Sequence, residues 1–438
     1  VQNFLQTKKK RLSIELKILI PSILVSVIGL ITLLSTTILP NGTFGDITIV
    51  KKQLLFIIVG FVLYLVVSKL DLSYTKYWQF ILIAYIVTVA SLLVVLLFGP
   101  TINYVKRWLV VGGIQIQPSE FAKITVIFLT AFLLSQKDKY NQWVLLLLSF
   151  VLVIPIFLLV YFEPDGSMSV LILAIWFVVA FTGLDNQIRN SIAILIIGLG
   201  VLGFLLSSIL TNALWLILVL AALVVSIFAY YYRDQWRILI VVSFLISIVL
   251  GLTSSVVWDS VLRDYQKERI EVYLNPTLDT GDTGFNVNQA RIAIGSGQIV
   301  GKGFGNGTQS KRNFLPEHQT DFIFASFAEE FGLIGAVFLL ILFSIIILTG
   351  INYTLHLTNE PYFAMITLGF SLKILLEVFI NIATNTGSIP ATGIPLPLVS
   401  AGGSITLVTL FSLGVIQSII SHSKMVGNTN EILQSYEV

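Results

Sequence analysis

The chain lacks cysteine and is poor in charge and histidine, and each shortage removes a class of chemistry. With no cysteine among 438 residues, disulfides, iron–sulfur ligation and thiol catalysis are excluded. The three histidines, His318, His356 and His422, lie far apart in sequence and show no metal-ligand spacing. Charged residues make up 11% of the chain. A soluble domain carries about 25%, so most of this surface must face something other than water. No Gly-x-x-x-x-Gly-Lys phosphate loop is present, which removes a nucleotide-driven pump. Gly301, Gly303 and Gly305 form a Gly-x-Gly pattern, but no strand–turn–helix pattern surrounds it, so a dinucleotide site is not expected.

What is abundant is apolar. Hydrophobic residues reach 56% and run continuously, where a β-barrel would alternate them with polar ones. The fold class expected is all-α, a polytopic transmembrane helical bundle of about 10–12 spans. The apolar runs fall near 17–38, 53–70, 77–98, 119–135, 143–162, 167–184, 190–210, 212–232, 238–258, 321–349, 362–386 and 399–421. Lys8, Lys9, Lys10 and Arg11 precede the first run and place the N-terminus inside. Lys69, Lys76, Lys137, Lys139, Arg189, Arg233 and Arg237 then fall on inside loops, with Lys51 and Lys52 as a mild exception. The first run is too long for a signal-peptide core and should remain as an anchor.

This gives five segments: a cytoplasmic tail over 1–16, transmembrane helices with short loops over 17–258, a large extracytoplasmic loop over 259–320, C-terminal transmembrane helices over 321–422, and a cytoplasmic tail over 423–438. The loop holds 14 of the 49 charged residues, seven of each sign, so it is no basic arm for nucleic acid. Long loops in compact proteins are usually functional or disordered. Phe285, Val287, Ile292, Ile294, Ile299, Phe304 and Phe314 argue for one that packs.

Four constellations are candidates for chemistry. Arg107 precedes Gln117-Pro118-Ser119-Glu120-Phe121-Ala122-Lys123, in which Pro118 starts a helix capped by Gln117 or Ser119. Glu120 and Lys123 share a helix face. Ionisable residues within spans mark function by default, and Arg107 with Lys123 would suit a diphosphate; the alternative is a structural ion pair. Glu163-Pro164-Asp165 is a carboxylate pair or a plain charged turn. Asn275 to Asn286 contains Asp279, a plausible general base near the membrane, though by spacing it is one aspartate among several. Pro316-Glu317-His318-Gln319-Thr320-Asp321 leads into the next span with Thr320 or Asp321 as its cap. Glu329 and Glu330, within that span, need a partner such as Lys123, Arg269 or Lys373. Gly387 to Pro397 is too apolar for an ordinary loop and reads either as a re-entrant turn or as a tightly packed connection.

Taken together, Arg107-Trp108, Gln117-Pro118-Ser119-Glu120 with Lys123, Gly295-Ser296-Gly297, Pro316-Glu317-His318 with Thr320-Asp321-Phe322-Ile323-Phe324-Ala325, and Pro395-Leu396-Pro397-Leu398 with Ser400, Gly402 and Gly403 resemble the SEDS family (shape, elongation, division and sporulation) of bacteria. Gly301-Lys302-Gly303 with Asn306 to Ser310 is similar to its elongation (RodA-like) members rather than its division (FtsW-like) members. The chain departs from the family pattern in an extra helical pair around 190–237, in a residue missing between Asp165 and Gly166, in Ala401 where a Tyr is usual, and in Thr280 where a Pro is common.

The resemblance implies a peptidoglycan glycosyltransferase that polymerises lipid II, in the bacterial cytoplasmic membrane with its active site outward. It implies a class B penicillin-binding protein (transpeptidase) and other elongation-complex membrane proteins as partners, and no nucleic acid. It places the essential loop carboxylate on Asp279 as catalytic base. It carries substrate contacts to Arg107, Glu120, Lys123, Arg269, Glu317, His318, Thr320, Asp321 and Ser400. No metal-ligand set is assigned, although a divalent cation (Mg or Mn) near Asp279 and the diphosphate is compatible with the chemistry. A flippase for lipid-linked precursors, built on buried charges and broken helices, and an inactive membrane scaffold are the alternatives.

Overall fold

A computed structural model of the chain describes residues 14–39, 42–102, 105–207, 212–232, 236–256, 263–274, 283–311, 315, 317–357 and 359–434. The elements are α1 (Leu16–Thr36), α2 (Thr48–Val67), a 3-10 turn (Leu72–Lys76), α3 (Trp78–Phe98), β1 (Leu109–Val111), β2 (Ile114–Ile116), α4 (Pro118–Leu134), α5 (Gln142–Phe162), α6 (Gly166–Gly183), α7 (Gln187–Ser207), α8 (Asn212–Tyr232), α9 (Arg237–Val256), α10 (Asp264–Leu274), α11 (Thr283–Gly297), α12 (Thr308–Lys311), α13 (Ile323–His356), α14 (Pro361–Asn385) and α15 (Gly403–Gln434). Eight of them, α1, α2, α3, α5, α6, α13, α14 and α15 as far as Ser423, are long and apolar enough to cross a membrane. The chain is a multi-pass membrane protein. The helical pair expected near 190–237 is present as α7 and α8.

The helices divide into two compact units, residues 184–278 and the remainder. In the smaller unit, α7, α8 and α9 pack on one another around Ile196, Ala229 and Ile240. In the larger unit one continuous core joins α1–α6 with α13–α15. α4 and α15 are its most enclosed helices. α4 buries 14 of its 17 residues, and 83% of the α15 span is buried, against 22% for α2 and α3. Enclosed helices need no lipid-facing apolar band, so polar residues are affordable there once paired. On α15, Thr406 accepts from Gln53 Nε2 at 2.9 Å, and Gln53 Oε1 takes the Gly402 N–H at 3.1 Å.

Two features depart from the sequence reading. The described parts of 259–320 are largely helical rather than an irregular loop. α11 forms there because Val287, Ala290, Ile294 and Gly297 recur on one helix face, and Ala290 and Ala293 pack against Leu315, Phe322 and Ala325. The second is a break in α13 at Gly332, whose φ of 65° and ψ of −167° interrupt the helix. A β-hairpin precedes α4, with Leu109 opposite Ile116 and Val111 opposite Ile114. Gly112 and Gly113 turn it with φ of 59° and 80°, the left-handed conformation that a tight hairpin requires.

Candidate active site

Helix ends that carry the sequence-predicted residues meet at one end of the larger unit. The first grouping is the corner between α5 and α6. Arg107, 25% exposed, lies with Nη1 3.7 Å from Asp165 Oδ2. It also donates to the carbonyls of Glu163 and Pro164. Asp165 is shared further: it accepts from Gln117 Nε2 at 3.2 Å and from the Met168 N–H at 3.2 Å, which starts α6. Gln117 heads α4, and its N–H donates to Ser404 Oγ at 2.9 Å. The corner thus ties α4, α6 and α15 to Arg107. Neither Gln117 nor Ser119 caps α4 through its side chain. Glu163 is fully buried, and among the described residues neither carboxylate oxygen has a hydrogen-bond partner. Burial, with the Asp165 charge adding to it against Arg107, pushes its carboxyl up to about 8.

The second grouping surrounds Lys123 with carboxylates. Its Nζ lies 2.8 Å from Glu120 and 2.5 Å from Glu377 Oε1. Glu377 Oε2 in turn meets Lys373 Nζ at 3.0 Å. All four side chains are at most 2% exposed. Two cations and two carboxylates therefore cancel inside the bundle, between α4 and α14. To reach a diphosphate, Lys123 would have to leave two buried ion pairs. Glu120 is held in the same way. For Glu329, where Lys123, Arg269 or Lys373 was expected, the partner is Lys302, Nζ to Oε1 2.6 Å.

The third grouping joins residues 317–322 to the segment 387–401. Ser400 is buried and its hydroxyl is committed, donating to the Thr320 carbonyl at 2.6 Å and accepting from the Leu396 N–H at 2.7 Å. The Ala401 N–H donates to the Gln319 carbonyl at 2.9 Å. The Asp321 carbonyl accepts from Asn381 Nδ2 and Asn385 Nδ2, both at 2.9 Å. α13 begins without a side-chain cap from Thr320 or Asp321; instead Asn385 Oδ1 reaches across from α14 and takes the Ala325 N–H at 3.0 Å. Asn381 also holds the Ile394 carbonyl at 2.9 Å. Within 387–401 the stretch 394–400 is non-helical backbone largely enclosed by protein, with Leu396, Leu398, Val399 and Ser400 buried, the setting in which broken helices persist at membrane depth, while Ser388 and Gly393 are exposed.

More exposed groups lie on the same turn. Thr320 Oγ1 donates to Glu317 Oε2 at 2.7 Å, and Glu317 is exposed with φ of 53°. His318 is half-buried, with Nδ1 2.9 Å from the Leu315 carbonyl. A carbonyl only accepts, so this contact places the proton on Nδ1. Burial holds the imidazole below its ordinary value, outweighing the Leu315 carbonyl and Glu317. Arg269 lies on α10 in the smaller unit, half-buried. Asp279 lies outside the described residues, four positions before α11.

Sequence reasoning missed Glu377, Asn381 and Asn385. The available signal was spacing: Lys373, Glu377, Asn381 and Asn385 recur every four residues along α14, one polar stripe on an apolar helix.

Comparison with known proteins places this arrangement. A family model described as cell cycle protein (FTSW_RODA_SPOVE) matches residues 16–214 and 209–425. Peptidoglycan glycosyltransferase MrdB of Escherichia coli K12 is 30% identical over 413 residues, covering 93% of this chain and 95% of MrdB. Stage V sporulation protein E of Bacillus subtilis is 29% identical, covering 95% and 99%. Among solved structures, a chain from "Structural coordination of polymerization and crosslinking by a peptidoglycan synthase complex" superposes with a TM-score of 0.65 at 21% identity, covering 93% and 97%. The rod shape determining protein RodA of Thermus thermophilus gives 0.57 at 20% identity, covering 94% and 98%. With the match running through both halves of the bundle and nearly end to end, the chain belongs to the FtsW/RodA/SpoVE family of SEDS proteins.

Proposed function

We propose that the chain is a peptidoglycan glycosyltransferase that polymerises lipid II in the bacterial cytoplasmic membrane, with the Arg107 end of the bundle facing outward. The observation that carries this reading is the near full-length match to MrdB, named as such an enzyme. The 301–310 motif favours the elongation branch. A class B penicillin-binding protein that crosslinks the new strand fits as its partner, in line with the synthase complex among the solved neighbours.

The residues divide the work as follows. The undecaprenyl tail of the donor lies between spans and its diphosphate at the Arg107 corner. Arg107 keeps part of its surface exposed and suits the diphosphate as a planar, multidentate donor. Asp279 takes the proton from the acceptor sugar's 4-hydroxyl. The hydroxyl oxygen attacks the anomeric carbon of the donor as the bond to the diphosphate breaks, and the diphosphate leaves as an anion. A single displacement inverts the anomeric centre. Glu120 and Lys123 set the position of α4 rather than touch the ligand. Glu317, His318 and Thr320 are the polar groups of the 317–322 turn nearest to solvent and remain candidates for contact with the sugar or peptide; Asp321 and Ser400 fix that turn. Among the described residues no three His, Asp or Glu side chains converge. A Mg or Mn ion would fit between Asp279 and the substrate's own diphosphate oxygens, where it would neutralise the leaving charge.

The test is glycan-chain formation from purified lipid II, with and without the partner. Asp279→Asn should lose about 10²–10⁴-fold, the usual contribution of a general base, while Asp282→Asn retains most activity. Full activity in Asp279→Asn removes it from catalysis, and equal loss in both points to folding of the segment. Transport of a lipid-linked precursor without polymerisation would support the flippase instead. Orientation is checked separately. A cysteine at position 282 of this cysteine-free chain should react with an impermeant thiol reagent in intact cells whose outer envelope admits it; reaction only after lysis contradicts the outward assignment.

A further inference from the structure

The break in α13 is filled by another part of the chain. Where Gly332 interrupts the helix, the carbonyls of Glu329 and Glu330 and the N–H groups of Leu333 and Ile334 lose their helical partners. The segment following α11 supplies all four. Lys302 N–H donates to the Glu329 carbonyl at 3.0 Å and Gly303 N–H to the Glu330 carbonyl at 2.9 Å. Leu333 N–H donates to the Gln298 carbonyl at 2.9 Å and Ile334 N–H to the Ile299 carbonyl at 3.1 Å. Gly301 and Gly332 face each other with φ of 85° and 65°, and a Cβ on either would strike the other strand's backbone.

Two adjacent carboxylates fasten the same segment from its side chains. Glu329 Oε1 accepts from Lys302 Nζ at 2.6 Å, Thr308 Oγ1 at 2.7 Å and Thr308 N–H at 2.8 Å, and Oε2 accepts from Gln309 N–H at 3.2 Å. Glu330 Oε1 accepts from Ser35 Oγ at 2.5 Å and Gly307 N–H at 3.3 Å, and Ser35 Oγ accepts from Gly305 N–H at 2.9 Å. Residues 298–309 are thus laced to α13 and to the end of α1. α11 enters this clasp at Gly297, whose close approach to Ala328 and Glu329 leaves no room for a side chain. Its other end starts at Thr283, four residues after Asp279. One rigid helix of 15 residues, about 22 Å long, therefore connects the clasp to the approach of Asp279.

We infer that Lys302 and Glu329 are positioning residues: their ion pair clamps the far end of α11 and so fixes the direction in which that helix presents its first residue, Thr283, four positions after Asp279. The inference rests on the reading of Asp279 as the base. It gives the charges a reason beyond stability. The four backbone bonds already close the helix break, whereas the ion pair fixes the 302–309 turn that a neutral pair would leave free to shift. A misplacement of about 1 Å is enough to cost about 100-fold in rate.

The experiment uses the full-length protein and steady-state polymerisation of lipid II. Lys302→Met should lower kcat about 10- to 100-fold with KM changed less than about twofold, since the clasp acts on orientation rather than on binding. Lys302→Arg should restore most of kcat. Thr308→Val, which removes one neutral donor, is the milder variant should Lys302→Met fail to fold, and should lower kcat without KM in the same way. Spin labels on cysteines introduced at Asp282 and Leu340 report position directly, and their distance distribution should broaden in Lys302→Met or Thr308→Val. In an Asp279→Asn background, the clasp substitution should add no further loss, because it acts through a base already removed. The inference is overturned if Asp279→Asn is impaired while the clasp variants keep wild-type kcat, or if their losses multiply with that of Asp279→Asn. Should Asp279→Asn prove fully active, the base reading fails and the clasp is judged by the labels alone; an unbroadened distribution then overturns it.

Discussion

The α4–α14 tetrad and the Arg107 corner draw on the same few residue types, sixteen positions apart in the chain at Arg107 and Lys123, and treat them oppositely. In the tetrad every cation touches a carboxylate and every carboxylate a cation, with all four side chains buried. At the corner, Arg107 is partly exposed and 3.7 Å from its carboxylate, while Glu163 is buried with no partner among the described residues. The difference teaches how to read charge in a membrane protein. A charge is expensive within the bilayer, and the tetrad answers that cost internally by pairing each charge with an opposite one. At the corner Arg107 keeps part of its surface exposed, which is where the proposed function puts the head group. Electrostatic closure, more than the mere presence of Lys or Arg, separates scaffold from site.

The largest effect comes from breaking the tetrad. Lys123→Met removes the cation between Glu120 and Glu377, and opening a buried pair from one side costs about 3–5 kcal/mol. Thermal unfolding in detergent should show that loss, and Lys123→Met with Glu120→Gln should recover part of it, since Glu377 keeps Lys373. Equal stability of Lys123→Met and wild type would mean that the tetrad does not hold the two helices. A smaller effect is expected at the junction of α13 and α14. Asn385→Leu removes one of two partners from the Ala325 N–H, which keeps the Phe322 carbonyl, and from the Asp321 carbonyl, which keeps Asn381, at about 1 kcal/mol for a lost hydrogen bond, again read by unfolding.

A further effect, confined to a pH window, sharpens the corner itself. The Glu163 carboxyl titrates at about 8 in the folded protein against an ordinary 4.5. Between those values the folded state keeps a proton that the unfolded chain releases, so stability falls as pH rises through this window and is level outside it. The limiting slope is about 1.4 kcal/mol per pH unit. Glu163→Gln should flatten the unfolding profile from pH 5 to pH 8; parallel profiles for the two proteins would show that Glu163 is ionised throughout.

How far these regions could be read from sequence follows from the range of each contact. The spans were legible because about 20 apolar residues in a row admit few other structures. The Glu120–Lys123 pair was legible as a pair at helical spacing, yet its purpose was not, because Glu377 lies 254 residues away. α11 was hidden among glycines and asparagines, although Val287, Ala290 and Ile294 carried its face. The sequence shows that Glu329 within a span needs a cation but does not single one out among Lys123, Arg269 and Lys373; the break at Gly332 brings Lys302 to it instead. Asp279 owes its prominence to the family resemblance, since spacing alone does not separate it from its neighbours. The Arg107 corner was seen as two motifs, and only the fold joins Arg107 and Gln117 to Asp165.

The central claim, that the corner meets the ligand while the tetrad does not, is tested most directly by lipid II affinity measured on folded Arg107→Ala and Lys123→Met at matched protein concentration. Losing hydrogen bonds to a charged group is worth about 1.5–3 kcal/mol. Arg107→Ala should therefore weaken lipid II binding about 10- to 100-fold with little change in unfolding temperature. Lys123→Met should unfold earlier, yet bind lipid II within about twofold of wild type at temperatures where it is folded. Wild-type affinity in Arg107→Ala, together with lost affinity in folded Lys123→Met, would contradict the account and return the diphosphate to Lys123.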